Sequence, residues 1–172
     1  MEPVCFTLGI FKSAVRRTAA AWRTIGYIMN QSEMDYKDGT SKMIDYHFVL
    51  GEILKEFKQI QKEHLVWDFV VEDKTKVWKE CLFPILKVIG DSEGHDKLVC
   101  RKIGYTQSHI TFCRHCACPR DETDNPNYKY KYLTSNEIEK AVKLEDTETL
   151  KRIGHYHFLS AFHDCEFCDP VR

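Results

Sequence analysis

"FPILKVIGDSEGHDKLVCRK", residues 83–102, carries an apolar run into Asp91, Glu93, His95 and Asp96 and then into a basic, helix-forming tail. The run Leu82–Ile89 is continuous enough to predict a strand buried on both faces. Helical spacing resumes in GHDKLVCRKIG, so Asp91 falls at the carboxyl end of a strand and ahead of a helix. In open α/β sheets, sites form at that end because the loops there gather side chains from elements far apart in sequence. A carboxylate fixed by a strand can hold magnesium or manganese, and two such ions about 4 Å apart can drive in-line phosphoryl displacement. Residue type and spacing alone favour a simpler role. In that role Asp91 or Ser92 caps the helix, Glu93 and Asp96 are first-turn acids suited to its dipole, and His95 is solvated.

Working outward, PVCFTLGIF predicts a strand over Val4–Phe11, and AAAWRTIGYIM a second over about residues 21–28. A polar loop with an Asp38-Gly39 turn signal follows. From Ser41 the pattern is helical, with Tyr46, Leu50, Ile53, Phe57 and Ile60 on one stripe and Glu52, Lys55, Glu56, Lys58 and Lys62 around it. Another strand is expected at Leu65–Val71, ahead of Leu82–Ile89. RDETDNPNYKYKY reads as a polar surface insertion, and Thr134 with Glu137 forms a capping box that starts a short helix. The order strand, strand, helix, strand, strand, helix predicts an α/β domain with a mixed sheet.

Size and charge limit the functions open to this chain. A length of 172 residues suits one domain. With 25 basic and 26 acidic residues the formal charge is −1, which is not the footprint of an autonomous DNA binder, so nucleic-acid contact would need local patches such as Arg16, Arg17 and Arg23. Lys129 and Lys131 alternate with Tyr128, Tyr130 and Tyr132, a pattern that suits backbone contact, although such tracts are more often solvated edges. Trp22, Trp67 and Trp78 could stack on bases, but aromatics in strands usually belong to a core. No apolar run approaches the ~20 residues of a membrane helix. The opening MEPVCFTLGIFKSAVRR inverts the order of a secretory signal peptide, so a nuclear or cytoplasmic, non-secreted chain is expected.

Five of the eight cysteines fall in CRHCAC and CEFC. Cys113 with Cys116 and Cys165 with Cys168 make two C-x-x-C knuckles, and four thiolates so arranged can close a tetrahedral zinc site. Residues 117–164 separate the pairs, a longer gap than in a compact zinc ribbon. Cys118, His115 and His163 are reserve ligands, and ordinary buried thiols are the alternative. A redox role is disfavoured because neither pair clearly precedes a helix. Cys5, Cys81 and Cys100 read as core residues.

Taken together, EPVCFTLGIF, AWRTIGYI, VIGDSEGHDKLVCR, CRHCACP and FHDCEFCDP resemble the central part of eukaryotic DDE-type transposases of the Kyakuja-Dileera-Zisupton and Plavaka kind. The resemblance spans nearly the whole chain. It implies a ribonuclease H-like fold, with residues 1–108 a partial core and 109–172 a cysteine-containing insertion with short helices. It further implies magnesium- or manganese-dependent cleavage and strand transfer at transposon ends in the parent enzyme. Of the three catalytic acids of that family, only the second maps here, onto Asp91. The first would precede Met1 and the third would follow Arg172, so the resemblance implies an interior fragment, inactive in isolation. Two rivals remain. One is a non-catalytic, zinc-stabilised module that binds nucleic acid or protein. The other is a zinc hydrolase built on His115, His163 and a carboxylate around an open metal position.

Overall fold

A computed structural model describes residues 1–7, 12–29, 38–70, 76–81, 92–102, 116, 118–129 and 131–165. The chain divides into two compact units, Met1–Leu86 and Lys87–Arg172. Helices and strands are mixed in the order β1 (Glu2–Phe6), α1 (Ser13–Arg16), β2 (Arg23–Ile28), α2 (Gly39–Glu63), β3 (Leu65–Val70), β4 (Lys76–Cys81), α3 (Ser92–Leu98), α4 (Ser135–Lys143) and α5 (Thr147–Ile153). Among the described residues the strands form two separate antiparallel pairs, β1 with β2 and β3 with β4, rather than one mixed sheet. Leu82–Ile89, the expected buried strand, lies outside the described residues, and the fourth strand is found earlier, at Lys76–Cys81.

In the first unit, Glu2 pairs with Ile28, Pro3 with Tyr27 and Val4 with Gly26; the register then shifts between Val4 and Cys5. The first strand spans Glu2–Phe6, and the rest of the expected run, residues 8–11, lies outside the described residues. A two-stranded hairpin is marginal by itself in water, and β2 gains its support by packing on α2. Helix α2 starts where Asp38 accepts a hydrogen bond from Ser41 N at 2.7 Å, a bond that also holds the Asp38 carboxyl below its usual range. Met43, Tyr46, His47, Leu50, Leu54 and Gln61 bury its inner face at helical spacing, while Glu52, Lys55, Glu56 and Lys62 face solvent. Leu50 is fully buried. Burial of a side chain of that size contributes about 1.5–3 kcal/mol.

Cys5, expected in the core, is exposed, because the face of the hairpin that carries it has no layer over it among the described residues. Its Sγ lies 3.5 Å from Thr24 Oγ1, its partner in register.

In the second unit, Ile138, Ala141, Leu150 and Ile153 form a core with Leu133 and Val142 packed against it. Both helices that build it carry their own start signals. Thr134 and Glu137 form the expected capping box on α4, and the Asp146 side chain accepts from Thr149 N at 3.0 Å to open α5. Gly154 closes α5 at φ +67, the left-handed conformation that glycine adopts without penalty. The chain leaving α3 then pairs with the chain leaving α5. Arg101 bridges His155, Lys102 N donates to Gly154 O at 2.8 Å, and Tyr156 N donates to Cys100 O at 3.0 Å. Cys100 is fully buried there, and burial pushes its thiol far above the usual range, so it is an inert core residue as expected.

Candidate metal centre

Asp91 lies outside the described residues; in sequence it directly precedes Ser92, the first residue of α3. Two of its neighbours have settled positions. Asp96 pairs with Arg101 at 3.8 Å, and the side chains of the two are only 16% and 12% exposed. Arg101 N also donates to Asp96 O at 2.8 Å. Asp96 therefore lies half-buried beside a basic side chain, one turn into α3 rather than in the first turn expected for it. His95, expected to be solvated, is half-buried with its Nδ1 inside the protein, because α3 turns that face inward.

The cysteine set is divided in the same way. Cys113, His115 and Cys168 lie outside the described residues, whereas Cys116, Cys118, His163 and Cys165 are described. Cys116 and Cys165, one from each knuckle, are 5% and 6% exposed. The described cysteines carry thiols rather than disulfides. Cys116 is held by an antiparallel bridge to Tyr132. Cys165 sits on a tight turn in which its N–H donates to Phe162 O at 3.0 Å, one step after His163 N donates to Ser160 O at 3.0 Å.

The two described reserve ligands, Cys118 and His163, have other partners. The Cys118 thiol donates to Pro119 O at 3.4 Å. His163 Nε2 lies 3.4 Å from Glu139 Oε2 on α4. Glu139 also pairs with Lys143, which holds its carboxyl below the usual range, with His163 adding to the effect. Among the described residues no three His, Cys, Asp or Glu side chains are grouped to hold a metal ion. Cys116, Cys118, His163 and Cys165 thus do not make a site by themselves, and Cys113 and Cys168, the other two expected ligands, lie outside the described residues. The donor chemistry still suits zinc: two soft, buried sulfur donors, one from each C-x-x-C. A zinc ion held by four thiolates would supply a cross-link between the knuckles and leave no open position for water.

Sequence reasoning missed a cleft in this unit lined by Arg101, Ile138, His155, Ser160 and His163. Its volume of about 20 Å³ has room for a water molecule. Ser160 Oγ is buried there and has no hydrogen-bond partner among the described residues. His155, 4% exposed, donates from Nδ1 to Tyr156 O at 2.7 Å. Burial lowers its pKa to about 4, and Arg101 works in the same direction against the carbonyl bond. Nothing in GHYHF distinguishes this buried imidazole from the exposed His157 two residues on.

Comparison with protein-family models, with curated proteins and with solved structures returns no match for this chain. No described helix is long and apolar enough to cross a membrane.

Proposed function

We propose that this chain belongs to the catalytic region of a DDE-type transposase. In this reading the fold is ribonuclease H-like, Asp91 is one of three carboxylates that bind magnesium or manganese, and Cys113, Cys116, Cys165 and Cys168 hold a structural zinc ion. The parent reaction is cleavage and strand transfer at transposon ends in the nucleus. Asp91 by itself leaves most of a metal ion's coordination to water, so in this reading the 172 residues do not catalyse it alone.

The observation that supports the reading is that two of the family-like segments pair with each other in the first unit. EPVCF and RTIGYI, from two of the family-like segments, are the two strands of one hairpin, with Glu2 opposite Ile28. In the second unit, CRHCACP buries Cys116 and Cys118, and FHDC buries Cys165. The alternative, a non-catalytic zinc-stabilised module that binds nucleic acid or protein, draws less support from its lysine-tyrosine tract, because Lys131 is paired with Glu137.

The test joins the chain to the coding sequence that flanks it in the genome. Expected upstream is an acid-tipped strand and downstream an acid-bearing helix, with magnesium-dependent cleavage by the extended protein that Asp91→Asn abolishes. Cleavage that survives that substitution, or flanks without such acids, would contradict the assignment.

A further inference from the structure

Between the two strands of the first hairpin the chain makes a small, internally braced connection. Thr18 Oγ1 donates to Val15 O at 2.8 Å and Trp22 Nε1 to Arg16 O at 2.8 Å. Arg23 Nη1 donates to Ala20 O at 2.8 Å and to Trp22 O at 3.0 Å. These bonds fix α1, the 3-10 turn Ala19–Ala21 and the start of β2 relative to one another.

Lys12, Arg16, Arg17 and Arg23 all stand exposed on this braced segment. The sequence has no acidic residue between Glu2 and Glu33. No ion pair among the described residues involves Lys12, Arg16 or Arg17, and Arg23 bonds only neutral carbonyls. Elsewhere several exposed cations have acidic partners, as in Lys55 with Glu52, Lys131 with Glu137 and Lys143 with Glu139. In a chain of net charge −1, the connection is an uncompensated positive patch.

We infer that this connection is a docking surface for the phosphate backbone of duplex DNA, contacted by Lys12, Arg16 and Arg17 without reading base sequence. The inference rests on the transposase reading for its choice of DNA. The chemistry of the patch comes from the structure itself. Three of the four cations are arginines, whose planar fork matches phosphate oxygens in pairs. The carbonyls that could compete for the Arg23 guanidinium also hold it in place, so it contributes charge and shape rather than reach. A membrane surface is the poorer fit, because polybasic lipid contacts draw on clusters of about four to eight flexible cations, usually beside an apolar anchor.

The test uses the full chain and a 20-base-pair duplex of arbitrary sequence, with binding followed by fluorescence anisotropy between 50 and 250 mM potassium chloride. Arg16→Gln with Arg17→Gln should weaken binding on the order of tenfold or more at 100 mM salt and make the log K against log salt slope shallower by about 2. The Arg16→Lys with Arg17→Lys pair should recover most of the slope, since charge is kept. Lys55→Gln with Lys62→Gln on α2 should leave both quantities unchanged. Equal binding by the Gln pair and the parent chain, or absence of salt-sensitive binding in the parent, overturns the inference. So does a preference for vesicles with 30% phosphatidylserine over the duplex. Each of these failures would leave zinc uptake and Asp91-dependent cleavage by the extended protein untouched, so loss of the docking surface and loss of the transposase reading are separable.

Discussion

Gly26 of β2 stands so close to Ile53 of α2 that a Cβ placed on it would lie 2.7 Å from both Ile53 Cδ1 and Cγ1. Hairpin and helix can approach this closely only because the strand carries no side chain at that point. Gly26→Ala should destabilise the first unit by about 1–3 kcal/mol through overpacking, measured as a lower urea midpoint. Combined with Ile53→Ala, which removes the opposing carbons, the loss should be less than the sum of the two single losses. Strict additivity would show that the two residues do not press on each other.

The second unit should weaken in mild acid. His155 has its folded pKa depressed to about 4 by burial, whereas the unfolded imidazole takes up its proton near its ordinary value of 6.5. Between those values the unfolded chain binds the extra proton. Stability is therefore complete above about pH 6.5 and falls as pH drops toward about 4, by an amount on the order of 3 kcal/mol. Urea denaturation at pH 7.5, 5.5 and 4.5 should show this decline, and His155→Gln should flatten it. An unchanged slope in the variant would assign the acid sensitivity elsewhere.

The capping box gives a graded test of local structure. In α4 the Thr134 side chain accepts from Glu137 N at 3.3 Å, and Glu137 accepts from Thr134 N at 3.1 Å. Thr134→Ala should lower stability by about 1 kcal/mol, and Thr134→Ser should lose far less. Equal losses from the two substitutions would show that the hydroxyl does not act as the cap.

The isolated chain should neither nick nor join DNA with magnesium or manganese, because one carboxylate leaves most of a metal's coordination to water. Plasmid relaxation assays should stay at background for the parent chain and for Asp91→Ala alike. Robust nicking that disappears in Asp91→Ala would overturn the inactive-fragment part of the account.

Much of the regular structure could be read directly from residue order. The stripe from Tyr46 through Leu50 marked α2 because a 25-residue helix repeats its period often enough to be unmistakable. Thr134 and Glu137 marked the start of α4 because a cap depends on two nearby residues alone. The seven-residue α5, TETLKRI, is too short to show a period, and β4, KVWKEC, carries charges that disguise it as a loop. The position of Asp96 could not be read either, since its partner Arg101 lies beyond the end of its own helix and meets it only once the chain has turned. Half of the candidate metal centre was legible as chemistry, in the two C-x-x-C pairs. The Glu139 partner of His163 comes from a separate helix, which sequence spacing does not reveal.

The central claim is that two knuckles, represented here by buried Cys116 and Cys165, close on one metal ion. Elemental analysis with zinc-edge X-ray absorption on the purified chain measures this directly. The account predicts about one zinc per chain, a four-sulfur shell near 2.3 Å, and loss of both metal and fold in Cys116→Ser with Cys165→Ser. A metal-free chain that keeps its circular dichroism and melting temperature would contradict it.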